Sequence, residues 1–139
     1  MTTVTLEPDY RPGEGEAFMN PKMQEYFRRK LLSWKAELLR ESGETINHLQ
    51  EGSLAEPDIA DRASLETDRS LELRTRDRER KLISKIDAAL KRIEDGEYGY
   101  CEDTSEPISI KRLEARPIAT LSIEAQERHE RMERTQRDD

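Results

Sequence analysis

Apolar side chains recur at Met23, Phe27, Leu31, Trp34 and Leu38, stepping by four, four, three and four residues. That spacing puts them on one face of a helix. Asn20-Pro21 supplies the start, because an N-cap side chain precedes a proline at the first helical position. The seam thins through Ser42 and Thr45 and resumes at Leu49, and Gly43 is the one interior breaker, costing about 1 kcal/mol against alanine. A helix over about 21–50 is predicted, roughly 45 Å long at ~1.5 Å per residue. Gly52, Ser53 and Pro57 then give the segment EGSLAEP the chemistry of a turn between antiparallel helices. Nothing from Asp58 to Asp95 is Gly or Pro, and Leu82, Ile86, Leu90 and Ile93 repeat the helical spacing. Asp58 or Asp61 suits the N-cap of this second helix and its positive end. Its middle, Arg74 to Lys81 (RTRDRERK), has no apolar residue. A helix polar all round there must be solvated, paired or held by a partner.

Beyond the hairpin the pattern changes. Gly96 and Gly99 end the second helix. Tyr98-Gly99-Tyr100 and Ile108-Ser109-Ile110 flank a short acidic turn containing Pro107, which reads as a small β-hairpin or knuckle. Pro117 precedes a last helix with Ser122 as N-cap and Glu124 and Glu127 in its first turn. The predicted fold is mainly α, with four regions. Residues 1–19 form an irregular arm, carrying Pro8, Pro12, Gly13 and Gly15 and docked through Tyr10 and Phe18. An antiparallel coiled-coil hairpin spans 20–95 with its tip near 51–63. A small globular region spans 96–127, and a highly charged tail over 128–139 is expected to fray.

Composition supports long helices over a compact ball. Only 33% of the 139 residues are hydrophobic while 40% are charged, which suits narrow apolar seams. The net charge of −7 opposes affinity-driven binding to a nucleic-acid backbone and favours a protein partner. Cys101 is the only cysteine, which excludes an intrachain disulfide and a multi-cysteine zinc site. No apolar run approaches the ~18 residues of a membrane helix, and Met1 to Tyr10 lacks the basic start and apolar core of a signal peptide. A cytoplasmic protein with no membrane role is expected. His48 and His129 accompany no recognisable nucleophile motif or phosphate-cradling glycine loop, so no enzymatic activity is expected.

The stretch from Pro57, PDIADRASLETDRSLELRTRDRERKLISKIDAALKRIEDGEYGYC, together with IKRLEARP at 110–117 and the FRRKLLSWKAEL core of the first helix, resembles the DksA/TraR family of RNA polymerase secondary-channel regulators. The Asp-x-x-Asp-x-Ala tip, the RDRERKLI run and RLEARP are each weak alone and specific in combination. The resemblance covers nearly the whole chain. It implies a coiled-coil hairpin on a small zinc-finger-like base, and a monomer that modulates initiation at ribosomal RNA and amino-acid promoters with the alarmone ppGpp, without recognising a DNA sequence.

The resemblance also implies roles for residues. Asp58, Asp61 and Ala63 match the coiled-coil tip that is directed at the polymerase active site; two carboxylates about a turn apart can face one basic or metal-rich wall, although helix capping accounts equally for their spacing. Arg74 and Arg78 match contacts to the polymerase rim, where a planar guanidinium pairs well with carboxylates; a solvated face is the alternative. Leu82, Lys85 and Arg116 match a ppGpp-binding site shared with polymerase, and Leu82 also fits the hairpin seam. The family commonly has a further basic residue where this chain has Gln126, leaving two cations instead of three. Cys101, Thr104, Ser122 and Ala125 stand at the four zinc-ligand positions, and Thr, Ser and Ala cannot replace thiolates. The expected base is therefore a degenerate, metal-free knuckle held by Tyr98, Tyr100, Ile108, Ile110, Leu113, Leu121 and Ile123. Two rival functions remain: a Gre-like factor that promotes transcript cleavage in the same channel, and a coiled-coil assembly protein. The RLEARP segment and the tip spacing lean against the first.

Overall fold

The computed structural model describes the backbone of residues 4–53 and 59–137, and side chains over 4–43 and 64–136. Helix α1 spans Pro21–Ser53, α2 Ile59–Asp95, α3 Ile110–Ala115 and α4 Ile123–Arg137. The chain divides into two compact units, one joining Met1–Leu31 to Ala88–Asp139 and the other comprising Leu32–Asp87. Helices dominate, as the apolar periodicity requires.

Both ends of the hairpin follow local chemistry. Asn20 caps α1, its Oδ1 accepting the Met23 N–H at 2.9 Å. At the far end of α2 the Glu97 N–H reaches Arg92 O at 2.8 Å and the Gly96 N–H reaches Ile93 O at 3.2 Å, with Gly96 at φ 75°. This is a Schellman stop, which needs a residue tolerant of the left-handed region. Within the Leu32–Asp87 unit the two helices run antiparallel, and Lys35 Nζ bonds Asp87 Oδ1 at 2.7 Å. The helical stretch of α1 continues through Gly52 and Ser53, which sequence chemistry assigns to the turn. Leu49, Pro57 and the conformation of Asp58 lie outside the described residues or side chains.

The seam differs from expectation in two places. Ile86, Ala89 and Ile93 are buried on α2, whereas Leu82, Leu90 and Trp34 of α1 are only half-buried. One turn before Leu82 the seam position is Glu79, 8% exposed, with one carboxylate oxygen lacking any hydrogen-bond partner among the described residues. The stretch that reads as polar all round therefore turns one carboxylate inward.

The other unit has the denser core. Phe27 is fully buried and packs at 5.6 Å between ring centroids on Tyr98, whose hydroxyl donates to Pro117 O at 2.7 Å. Burial pushes the Tyr98 phenol well above its ordinary range, keeping it a donor. Helix α3 is fixed to α1 through Glu114, which accepts from Tyr26 Oη at 3.0 Å and Lys30 Nζ at 2.8 Å. The N-terminal arm is docked: Tyr10 meets Tyr26 edge-on at 6.0 Å, and Phe18 meets Tyr100 at 5.3 Å. Gly99, at φ +92°, sits under the arm, where an added Cβ would stand 2.9 Å from Met19 Cε. Only glycine allows that approach.

Three features of the base depart from the sequence reading. Among the described residues there is no strand; Tyr100 and Pro107 form one isolated antiparallel bridge, bounded by Cys101 N–H to Glu106 O and Ile108 N–H to Gly99 O. Pro107 has no N–H with which to extend a ladder, and Ser109 caps α3 by accepting the Arg112 N–H at 3.2 Å, so Ile110 enters a helix. Tyr100 and Ile123 are exposed and Ile110 and Leu121 half-buried, while Ile118, Ala119 and Ala125 fill the core alongside Tyr98, Ile108 and Leu113. Finally, the tail expected to fray is helical to Arg137 although Glu127 to Gln136 are all exposed. Glu127 and Arg131, and Glu130 and Arg134, stand one turn apart with the acid first, the spacing and polarity that favour an isolated helix.

Candidate functional site

Two groups of candidate residues take definite form, one in each unit. On α2, Arg74 and Arg78 are exposed and one turn apart. Lys81 and Lys85 continue the same line, so four cations follow at steps of four, three and four and share a face about 16 Å long. None of the four side chains has an ion pair or hydrogen bond among the described residues. Asp77, on the flank, pairs with Arg80 instead. Sequence reasoning singled out Arg74, Arg78 and Lys85 and missed Lys81, whose signal was the unbroken helical spacing. Leu82 lies beside this ridge, half-buried at the edge of the seam.

Arg116 belongs to the other unit. It is exposed, ends α3, and its backbone N–H donates to Arg112 O at 2.7 Å. Gln126 is half-buried and its amide donates to Glu130 Oε1 at 3.3 Å, so it supplies no positive charge. Asp61 and Ala63 fall in the opening turns of α2 by backbone; their side chains, and Asp58 altogether, lie outside the described residues.

Cys101, Thr104, Ser122 and Ala125 do come together. The Cys101 thiol, 2% exposed, accepts the Ser122 N–H at 3.4 Å, and Ser122 Oγ caps α4 by accepting the Ala125 N–H at 3.2 Å. Burial opposes ionisation of this thiol, but donors from Ser122, Thr104 and Asp103 outweigh it and lower its pKa from 9.0 to about 6. Across the same knuckle His129 Nε2 meets Asp103 Oδ2 at 2.6 Å, tying α4 to the turn. The arrangement is a closed knuckle around one sulfur, with backbone N–H groups aimed at it.

Comparison with known proteins places these features. Residues 23–93 match the family model of the N-terminal domain of DnaK suppressor protein DksA, and residues 96–131 match that of the prokaryotic dksA/traR C4-type zinc finger. The chain is 66% identical over 138 residues to the RNA polymerase-binding transcription factor DksA of Caulobacter vibrioides, covering 99% of this chain and 97% of that protein. It is 48% identical over 119 residues to the protein of the same description from Escherichia coli K12, covering 86% and 78%. Among solved structures it is similar to transcription factor DksA2 from Pseudomonas aeruginosa, with TM-score 0.79 and 44% identity over 84% of this chain and 90% of that one.

The donor set does not fit the zinc that a C4-type finger implies. Of the four positions only Cys101 carries a thiol, Ala125 is a buried methyl, and Ser122 spends its hydroxyl on the helix cap. Among the described residues no group of three or more His, Cys, Asp or Glu side chains can hold a metal ion.

Proposed function

The chain belongs to the DksA family, and from that premise we propose that it binds bacterial RNA polymerase through the secondary channel and modulates initiation at ribosomal RNA and amino-acid promoters together with ppGpp. The observation that carries the reading furthest is the ridge of unpaired cations on α2, in a protein whose net charge is −7. A concentrated positive strip on an otherwise acidic protein fits an acidic protein surface and is poorly suited to a DNA backbone. Its relatives are described as RNA polymerase-binding, which supplies the identity of that surface.

In this reading Arg74 and Arg78 pair with the rim of the channel. Asp58, Asp61 and Ala63 form the tip directed at the polymerase active site, where the carboxylates alter the stability of the open complex and the small Ala63 permits close approach. Leu82, Lys85 and Arg116 take ppGpp against polymerase, the two cations pairing with its phosphates. With Gln126 in place of a third cation, the alarmone response is weaker than in a member that carries one. The protein works as a cytoplasmic monomer and catalyses nothing itself. Among the described residues no helix is long and apolar enough to cross a membrane.

Transcription in vitro from a ribosomal RNA promoter, with cognate polymerase, tests this directly. The protein is expected to lower output and ppGpp to deepen the effect, without faster release of 3′ fragments from stalled complexes. A protein that neither binds polymerase nor changes output refutes the proposal; accelerated cleavage of stalled transcripts would move it to the Gre-like class.

The base is proposed to fold without metal. Purified protein should contain far less than one zinc per chain, and its helical circular dichroism should persist with a strong chelator. Stoichiometric zinc whose removal costs helicity would overturn that.

A further inference from the structure

Resting on the polymerase-binding reading, we infer that Lys81 is a further contact residue of the α2 ridge, and that the partner surface facing Arg74, Arg78 and Lys81 is a row of protein carboxylates. Several other cations on the hairpin are matched within the chain: Lys35 with Asp87, Arg80 with Asp77 and Lys91 with Asp95. Along the ridge none is matched among the described residues, and all four side chains are exposed. Lys81 stands between Arg78 and Lys85, three residues from one and four from the other, so a surface that reaches both must pass over it.

The shape of the ridge selects its partner. It is one side chain wide, and the acidic Asp77 borders it. A nucleic-acid backbone is disfavoured by the protein's overall negative charge of −7. A single file of carboxylates spaced along about 10 Å, from Arg74 to Lys81, meets the shape of the ridge, with guanidinium forks pairing bidentately at one end and an ammonium point charge at the other.

Equilibrium binding of the full-length protein to cognate polymerase holoenzyme, at two salt concentrations, separates the possibilities. Lys81→Glu is expected to weaken binding by about tenfold, since it loses one attraction and adds a repulsion, and to flatten the salt dependence. Lys81→Arg should stay close to wild type. Lys22→Glu changes net charge equally at an exposed site on α1 and should also stay close to wild type. Circular dichroism should show the same helicity for all three. Equal losses in Lys81→Glu and Lys22→Glu would reduce the effect to net charge and overturn the inference, as would unchanged binding in Lys81→Glu. Failure of the wild type to bind would instead bring down the polymerase reading, and this inference with it.

Discussion

Asp61→Asn is expected to bind polymerase about as well as wild type while losing most of its effect on ribosomal RNA promoter output. The amide keeps the size and shape of the carboxylate, so insertion of the hairpin is preserved, and the contacts proposed to hold the complex lie on the ridge at Arg74 to Lys85. What changes is one charge. A charge pair at ~4 Å in a protein-like medium is worth about 4 kcal/mol, so loss of one such interaction supports at least about a tenfold fall in inhibition. The measurement is a titration of protein against transcript yield, paired with binding on the same samples. Parallel loss of binding and inhibition would make Asp61 a docking residue. Full retention of inhibition would remove the tip from the mechanism.

The second large effect concerns Cys101 and pH. Its thiol titrates near 6 in the folded protein against an ordinary 9.0. A folded-state pKa below the unfolded one means that the unfolded chain binds the extra proton, so stability rises with pH across the interval. The contribution is complete above about pH 9, declines on acidification, and is gone below about pH 6. Because the sulfur is almost wholly buried, the gain at the top of that window is on the order of a few kcal/mol. Urea unfolding of wild type and Cys101→Ser at pH 5.5, 7.5 and 9 should give curves that converge in acid and separate in base. Curves that remain parallel would show that the thiol is not ionised in the knuckle. The sulfur would then serve by packing alone.

The hairpin was readable because its information is periodic. Met23, Phe27 and Leu31 announce a buried face, Asn20-Pro21 a start and Gly96 a stop, and each acts where its chemistry says. The base was harder because its signals are short and compete. Ile108-Ser109-Ile110 alternates like a strand, yet Ser109 is also a helix cap; over three residues alternation carries little information, and the cap prevailed with Pro107 blocking the ladder. The helical tail depended on charge order and not on hydrophobicity. For the candidate site, the spacing of Arg74, Arg78, Lys81 and Lys85 was legible in principle, since any helical projection aligns them. The roles of Asp58, Asp61 and Ala63 come from family resemblance, because two carboxylates at that spacing also describe an ordinary cap. The positions of Thr104, Ser122 and Ala125 around Cys101 likewise came from family resemblance, since on their own these residue types bear no mark of a site, and their convergence on one sulfur needed the fold.

Glu79 gives the hairpin an uneven grain. Apolar layers at Ile86 and Leu38 can be pulled apart only by exposing hydrocarbon to water, whereas opening the layer at Glu79 returns a carboxylate to its hydration shell. Unzipping is therefore less opposed there than at those apolar layers, and the segment from Arg74 to Lys81 belongs to a softer cooperative block. The cations that face outward along this segment thus ride on a part of α2 that can adjust its twist at lower cost than the apolar layers at Ile86 and Leu38.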